Sequence, residues 1–192
     1  MREEIKNVFD EFKTIKKEKK EGNKFLSIES YICELNNGKV ITREKILKGG
    51  NDGSAVIVLP ITQNEKVILA IEPRVFTEKT VDMGLPSGYI ENGEEPKDAA
   101  LRELKEETGY VPNRLEYLGS FYQDQGCSSA LNHYFIAFDC EKKYDQNLDE
   151  SEFIKYVLVD FKELDYLLDN GYIKGLNSAY IIEKAKKHIK EM

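Results

Sequence analysis

The stretch GYIENGEEPKDAALRELKEETGY, from Gly88 to Tyr110, decides the fold of this chain. It reads as a glycine-containing turn followed by an acidic amphipathic helix, and Pro96 suits the first helical position. Gly109 ends the helix, because glycine readily takes the left-handed conformation of a helix cap. Between them, apolar residues recur at the spacing of one helix face: Ala99, Ala100, Leu101 and Leu104.

Three carboxylates follow the same periodicity. Glu103, Glu106 and Glu107 stand at i, i+3 and i+4, so they share one face within about one 5.4 Å turn. Unpaired, such a cluster repels itself, and a hard divalent cation bound through oxygen relieves the repulsion. The alternative is a solvated charged helix with Glu–Lys pairs, which is the usual interpretation of such composition.

The spacing of the whole stretch favours the metal site. Gly88 is followed after five residues by Glu94 and, after seven more, by Arg-Glu-apolar-x-Glu-Glu-x-Gly-apolar, which fills every fixed position of the Nudix box. The chain therefore resembles a Nudix hydrolase. The resemblance implies an α/β Nudix fold, a mixed-sheet α/β/α sandwich, here with a small N-terminal antiparallel strand subdomain preceded by a helix.

Composition and charge restrict the remaining classes. The 192 residues are 41% hydrophobic and 33% charged, which suits one domain of ordinary size, and the net charge of −7 argues against a nucleic-acid partner. No apolar run approaches the roughly 20 residues that span a bilayer, so no membrane partner is expected. Cys33, Cys127 and Cys140 show neither metal-ligand nor disulfide spacing, and without a signal peptide they predict a cytoplasmic protein.

The N-terminal part is predicted to be separate from the main domain. A helical pattern of apolar residues runs from Ile5 to Ile15. The segments Phe25–Leu35 and Lys39–Leu47 read as a hairpin around an Asn-Asn-Gly turn. The glycine-rich loop 49–53 then marks a boundary, which gives an N-terminal helix and strand subdomain at 1–50 and a Nudix hydrolase domain at 51–192.

The main domain reads as strands followed by helices. The segment from Val75 to Asp82 is predicted to be a loop. The predicted strands are Ser54–Pro60, Lys66–Ile71, Leu115–Gln123, Asn132–Cys140 and Tyr156–Val159, and the predicted helices after them are Phe161–Asp169 and Asn177–Lys190.

Diphosphate hydrolysis explains why the box needs these residue types. Mg²⁺ or Mn²⁺ lowers the pKa of bound water and clamps phosphoryl oxygens, and Glu103, Glu106 and Glu107 are the side chains expected to hold it. Arg102 is interpreted as an orienting partner of a box carboxylate, because its planar fork binds carboxylates at two points. The resemblance adds the main-chain oxygen of Ser87 as a metal ligand.

Most of the chain from Phe25 onward resembles the ADP-ribose pyrophosphatase branch of this family. The marks are the N-terminal strands, the pair Arg43-Glu44, Arg74 at the end of a hairpin, and the acidic segment Asp149-Glu150-Ser151-Glu152. The branch implies a homodimer in which the N-terminal strands help build the partner's pocket. It also implies a nucleoside diphosphate derivative as substrate, with ADP-ribose giving AMP and ribose 5-phosphate.

The same resemblance suggests where the base and the substrate contacts lie. Glu150 and Glu152 are candidate catalytic bases, with Glu150 preferred because it directly follows Asp149; a solvated surface loop is the alternative. Arg43, Glu44, Arg74 and Ser128 are candidate substrate contacts, and surface or interface roles are the alternative for the arginines.

One departure leaves the substrate open. Relatives in this branch usually carry a Pro-Gly pair about 15 residues past the box, where this chain has Gln125-Gly126. Glutamine lacks the stiffness of proline, so that loop differs in flexibility and hydrogen bonding. Two alternatives therefore stand beside a hydrolase of ADP-ribose or nucleotide sugars: a house-cleaning hydrolase of nucleoside triphosphates or dinucleoside polyphosphates, and a non-catalytic nucleotide sensor of the Nudix fold.

Overall fold

A mixed eight-stranded sheet forms the centre of the protein. The computed structural model describes residues 2–12, 16–18, 22 and 25–190, without the side chains of 188 and 190. The elements in chain order are α1 (Glu3–Phe12), β1 (Leu26–Glu34), β2 (Val40–Lys48), β3 (Ala55–Thr62), β4 (Lys66–Pro73), β5 (Val81–Gly84), β6 (Ser87–Tyr89), α2 (Pro96–Thr108), β7 (Tyr110–Val111), β8 (Arg114–Tyr122), β9 (Leu131–Lys142), β10 (Lys155–Asp160), α3 (Glu163–Asp169) and α4 (Leu176–Lys190).

The order β10-β4-β3-β9-β7 forms the path of the sheet, with β5 paired to β4, β6 to β3 and β8 to β9. The pair β3–β9 is parallel, and the other pairs are antiparallel. The parallel pair is central, and β3 and β4 are buried on both faces, as their nearly continuous apolar sequences predict.

Helices cover both faces of the sheet. Ile5, Leu164 and Ile181, from α1, α3 and α4, belong to one buried apolar cluster, while Ala100 and Leu104 of α2 belong to a second. The second cluster also contains Val56, Val58 and Ile68 of β3 and β4, so alternate residues of these strands face opposite layers. The predicted α/β/α sandwich with a mixed sheet is confirmed.

Most of the predicted elements are present, but the short strands β5, β6 and β7 are not among the predicted strands. The segment Val75–Asp82 was predicted to be a loop, but β5 begins at Val81, which pairs with Pro73 and is almost fully buried. A buried strand end needs a partner on an existing edge, and the local sequence does not reveal that partner. In the N-terminal pattern, Ile15 lies outside the described residues.

The small sheet β1–β2 is the predicted hairpin. Its contacts with the main body include a hydrogen bond from the Ile46 N–H to the Cys127 carbonyl (2.8 Å) and a ring contact of Phe25 with Tyr89 at 6.0 Å. By contrast, α1 packs Ile5 and Phe9 into the core of the main sheet. The division of the chain at residue 50 stays a prediction. No helix within the described residues is both long and apolar enough to cross a membrane.

Candidate active site

Helix α2 presents two carboxylates to the interior. Pro96 opens the helix, and Gly109 closes it in the left-handed conformation (φ 72°), with its N–H bonded to the Lys105 carbonyl at 2.7 Å. Glu103 and Glu107, one turn apart, are only 8% and 4% exposed. Buried carboxylates are rare unless they are paired or bind metal, so this pair marks a functional surface of the helix.

Strand β6 lies directly against this pair of carboxylates. The Ser87 N–H donates to Glu107 Oε2 at 3.3 Å. A Cβ atom built on Gly88 would stand 2.0 Å from Glu103 Oε1, a distance that no real side chain tolerates. The glycine is required here because the backbone must approach the carboxylate this closely.

We expect Gly88→Ala to lower both the melting temperature and any hydrolytic rate, because the new methyl group must displace Glu103 or the strand. A displacement of about 1 Å in a catalytic group is enough for a loss of about 10²-fold in rate. The control is a double-mutant cycle with Glu103→Ala, measured by thermal unfolding. If the clash is the cause, the double variant regains stability relative to Gly88→Ala; a purely additive loss would contradict this explanation.

Arg102 connects the carboxylates at the rim of the helix. Its guanidinium donates to both oxygens of Glu94 (2.8 and 2.9 Å), to Glu103 Oε1 (2.8 Å) and to Glu106 Oε2 (3.1 Å). A further bond reaches the Tyr89 carbonyl at 3.1 Å. Arg102 therefore fixes Glu103 from one side and binds the turn before the helix through Glu94.

Glu106 differs from its two neighbours. Its side chain is 34% exposed and bonds to Arg102, and it borders a separate depression with Tyr144. The three carboxylates that share one helical face in the sequence are thus divided in the structure into a buried pair, Glu103 and Glu107, and one residue beside it. Its assignment as a metal ligand stays a prediction.

Burial controls the ionisation of the pair. It raises the pKa of Glu103 to about 7, and the adjoining Arg102 limits the rise. Burial also raises the pKa of Glu107 well above its ordinary value, and the charges of Glu103, Glu72 and Glu152 raise it further. Strongly shifted carboxyl groups in a cleft are typical of functional sites.

The pair lies in the wall of a cavity of about 630 Å³. This volume is within the usual range for small-molecule sites. Among the charged side chains of the lining, seven are acidic and three are cationic. The acidic residues are Glu72, Asp82, Glu91, Glu103, Glu107, Asp149 and Glu152, and the cationic residues are Lys48, Arg74 and Arg102.

The cations differ in their availability. Arg102 is bound to the box glutamates, and Arg74 forms an ion pair with Glu72 at 2.5 Å. Lys48 forms no ion pair within the described residues; its ammonium group bonds to Gln123 Oε1 at 3.3 Å and lies 5.8 Å from the centre of the Tyr89 ring. Lys48 is therefore the cavity cation that has no carboxylate partner among the described residues and can bind an anionic ligand.

The donor set fits a hard divalent cation. Mg²⁺ is usually held by one or two carboxylates, with water and substrate phosphates completing its shell. Glu103 and Glu107 supply two carboxylates whose mutual repulsion raises the pKa of Glu107. No cluster of three or more potential metal-ligating side chains is present in the described part of the chain.

The two predicted candidates for the catalytic base, Glu152 and Glu150, differ in their position relative to the cavity. Glu152 lines the cavity and accepts the Asp149 N–H at 3.0 Å. Glu150 is exposed and is not among the described residues that line the cavity. The two residues point to different environments because the backbone turns between them, with the Glu152 N–H bonded to the Asp149 carbonyl at 2.9 Å.

The predicted substrate contacts are only partly brought together. Arg74 lines the cavity, and so does Ser87, the residue whose main-chain oxygen is predicted to bind metal. Arg43 and Glu44 are exposed on β2, and Arg43 donates to the Thr42 carbonyl. Ser128, whose hydroxyl accepts the Ala130 N–H at 3.1 Å, is likewise outside the cavity lining of the described chain.

Sequence reasoning missed several cavity residues. The sequence patterns predict a loop at Asp82, a strand at Asn132 and a helix at Asn177, and no functional role is predicted for these residues. No role is predicted for Glu72 or Lys48 either, although all five line the cavity. A polar residue at the edge of an apolar strand is only a weak indication of a functional site. Among these residues, only Glu72 had such an indication, because it is next to Arg74 in the charged segment Glu72-Pro73-Arg74. The pairings of β4 with β5 and of β3 with β9 bring Asp82 and Asn132 to the site.

The sequence of this chain is similar to those of known proteins over most of its length. Residues 52–177 match the family model described as NUDIX domain. The chain is 35% identical over 176 residues to an ADP-ribose pyrophosphatase of Bacillus subtilis (strain 168), covering 90% of this chain and 91% of that protein. It is also 35% identical over 162 residues to a methanol dehydrogenase activator of Bacillus methanolicus, covering 83% and 84% of the two chains.

The fold of the chain also matches that of a solved structure. A solved structure of an ADP compounds hydrolase matches with a TM-score of 0.76 and 25% identity over 91% of each chain. The resemblance to Nudix hydrolases that the box predicted, and to their ADP-ribose pyrophosphatase branch, is confirmed. The chain therefore belongs to the Nudix hydrolase family.

Proposed function

We propose that this protein hydrolyses the diphosphate bond of ADP-ribose or a related nucleoside diphosphate sugar, with Mg²⁺ or Mn²⁺ as cofactor. The observation that carries the proposal is the buried pair Glu103 and Glu107 in the wall of a cavity of about 630 Å³. The substrate class is supported by the names of the relatives, an ADP-ribose pyrophosphatase and an ADP compounds hydrolase among them.

Nudix hydrolases in general use divalent metal ions, and this site offers ligands for one. Glu103 and Glu107 would hold it, together with the Ser87 carbonyl and Glu106 that the family pattern adds. A bound ion supplies charge neutralisation at the phosphoryl oxygens and a lowered pKa for coordinated water. Arg102 acts as a positioning residue, because it fixes Glu103 through a 2.8 Å hydrogen bond.

Glu152 is the proposed catalytic base, in preference to Glu150. A base must lie within reach of the attacking water, directly or through one more water, and Glu152 lines the cavity that contains the carboxylate pair. Its hydrogen bond from the Asp149 N–H orients the carboxylate. Glu150, being exposed, serves as its comparison residue.

Lys48 and Arg74 are the proposed cationic contacts for the diphosphate or its phosphate products. Lys48 can bind a phosphate because it lacks a carboxylate partner among the described residues. Its ammonium group donates a hydrogen bond to Gln123 Oε1. Arg43, Glu44 and Ser128 fit the proposal only as contacts made in an assembly of two chains, as the family pattern implies. The proposed compartment is the cytoplasm.

The direct test incubates the purified protein with Mg²⁺ and separate nucleotides, and identifies the products by chromatography. The panel contains ADP-ribose, an ADP-hexose, ATP and diadenosine polyphosphates, each repeated with excess chelator. The proposal expects AMP and ribose 5-phosphate from ADP-ribose, and no product with chelator. Preferential release of phosphate or pyrophosphate from ATP would favour the house-cleaning alternative, and no turnover of any compound would favour the sensor.

We further propose a homodimer formed through β1 and β2. A two-stranded sheet is marginal in water, yet this one exposes Ile28, Ile32 and Val40, which are 64%, 81% and 61% exposed. Strand alternation places all three on one face, since Ile32 pairs with Thr42 and Glu34 with Val40. A second copy of the chain would remove this apolar surface from water.

Light scattering at micromolar concentration should give the mass of two chains for the wild type. Ile32→Lys should give one chain, because a buried unpaired ammonium group opposes the contact. Ser27→Lys, on the opposite face of the same strand, is the matched control and should remain dimeric. A monomeric wild type, or a dimer unaffected by Ile32→Lys, would contradict the proposed interface.

A further inference from the structure

An amide network surrounds Asn177 at the start of α4. Asn177 Oδ1 accepts two hydrogen bonds, from the Tyr134 hydroxyl at 2.9 Å and from Asn132 Nδ2 at 3.1 Å. These bonds fix the orientation of the Asn177 amide, because they occupy the two lone pairs of its oxygen. Its Nδ2 group, which carries two donors, has no partner within the described chain, and Asn177 lines the cavity.

The partner of Asn177 also carries an unmet hydrogen-bonding group. Asn132 is 1% exposed, lines the same cavity, and its Oδ1 has no hydrogen-bond partner among the described residues. A buried acceptor without a partner loses its hydrogen bonds to water without replacement, so native proteins seldom retain one without a reason. The network thus offers unpaired donors on Asn177 and an unpaired acceptor on Asn132.

The rest of this wall is rigidly joined to the catalytic half of the cavity. Ser178 Oγ accepts the Leu85 N–H at 3.1 Å, which ties α4 to the residues just before the box. Asp82 Oδ1 accepts the Lys174 N–H at 3.3 Å, and burial raises the pKa of this carboxyl group. A ligand group that lies here is therefore held at a fixed position relative to Glu103 and Glu107.

The chemistry of this wall suits hydroxyl groups. A hydroxyl donates one hydrogen bond and accepts others, so it can accept from Asn177 and donate to the Asp82 carboxylate. Phosphate, which only accepts, is disfavoured beside Asp82. Sugar hydroxyls, which both donate and accept, therefore suit a wall that carries the Asn177 donors and the Asp82 carboxylate.

We propose that Asn177 is a specificity-determining residue that donates hydrogen bonds to sugar hydroxyls on the non-nucleotide half of the substrate. The proposal rests on the proposed function for the identity of the substrate, and it adds which part of that substrate is recognised and by which group. Tyr134 and Asn132 are positioning residues, because they act by holding the Asn177 amide. Their bonds leave both Nδ2–H donors for the ligand.

The test compares ADP-ribose with the methyl ester of ADP, which has a diphosphate linkage but no sugar on the leaving side. Two variants are used, Asn177→Ala and Asn177→Asp; the aspartate retains an acceptor for Tyr134 and Asn132 but lacks the donors. Leu176→Ala, an adjacent residue that is 78% exposed, is the control. Binding of ribose 5-phosphate, measured by calorimetry, gives a readout that does not depend on turnover.

We expect both Asn177 variants to lose roughly 3- to 10-fold in kcat/KM for ADP-ribose, the usual effect of one lost hydrogen bond. The ratio of ADP-ribose to methyl ester turnover should fall by the same factor, and ribose 5-phosphate should bind correspondingly more weakly. Tyr134→Phe should change the ratio in the same direction but by less. Leu176→Ala should match the wild type.

Two results would overturn the proposal: equal losses on both substrates, which would show a structural or diphosphate-binding role, or no loss on either substrate. If the wild type hydrolyses neither compound, the proposed function fails. The binding of ribose 5-phosphate then tests the role of Asn177 on its own. Ribose 5-phosphate binding that Asn177→Ala and Asn177→Asp both weaken would still support the sugar subsite. Absence of binding, or binding that neither variant alters, would refute it.

Discussion

Glu107→Gln should reduce turnover by roughly 10³-fold or more while leaving the protein folded. A metal-bound carboxylate stabilises transition-state charge by several kcal/mol, and about 1.4 kcal/mol corresponds to a factor of ten in rate. Glutamine keeps the shape and can still accept the Ser87 N–H, but it lacks the negative charge. The expected loss is therefore chemical, measured as kcat at saturating Mg²⁺.

Thermal unfolding separates this explanation from a structural one. In the presence of chelator, the Glu107→Gln variant should be at least as stable as the wild type, because the substitution removes a carboxyl group that is 4% exposed and whose ionisation is opposed by burial. Mg²⁺ should raise the melting temperature of the wild type but not of the variant. Asp98→Asn, at an exposed position of the same helix, is the control. A variant that unfolds many degrees lower yet binds metal normally would show that Glu107 is structural.

Glu152→Gln should lower kcat by about 10²–10⁴-fold, the usual contribution of a general base. The Michaelis constant and metal affinity should change little, since the proton transfer is realised in the transition state. Glutamine can still accept the Asp149 N–H, so the loop should keep its conformation.

The matched variant Glu150→Gln, two residues away and exposed, should retain nearly full activity. Steady-state kinetics on ADP-ribose at fixed Mg²⁺ measures both variants. A large loss for Glu150→Gln beside a mild effect for Glu152→Gln would reverse the assignment. If both variants keep the wild-type kcat, the loop contributes no base.

The box helix could be predicted from the sequence because its determinants are local. Pro96 and Gly109 act on their own turns of the backbone, and the helical period sets which residues share a face. The close approach of Gly88 to Glu103 belongs to the same short segment. Local rules therefore predict that Glu103, Glu106 and Glu107 share one helical face, but not which of the three are buried.

The rest of the site depends on contacts between distant segments. Asp82 reaches the cavity because β5 pairs with β4, and Asn132 because β9 runs parallel to β3. Glu106 is partly exposed whereas Glu103 and Glu107 are buried, a difference that helical spacing alone does not specify. The choice between Glu152 and Glu150 depends on one turn in the loop, stabilised by the bonds between Asp149 and Glu152.

Titration with Mn²⁺, followed by the electron paramagnetic resonance signal of the free ion, tests the central claim most directly. The claim is that Glu103 and Glu107 form the metal site of this hydrolase. The wild type and Asp98→Asn should remove free Mn²⁺ from solution with the same affinity, and the double variant Glu103→Gln/Glu107→Gln should remove far less. Equal binding by the double variant and the wild type would contradict the claim.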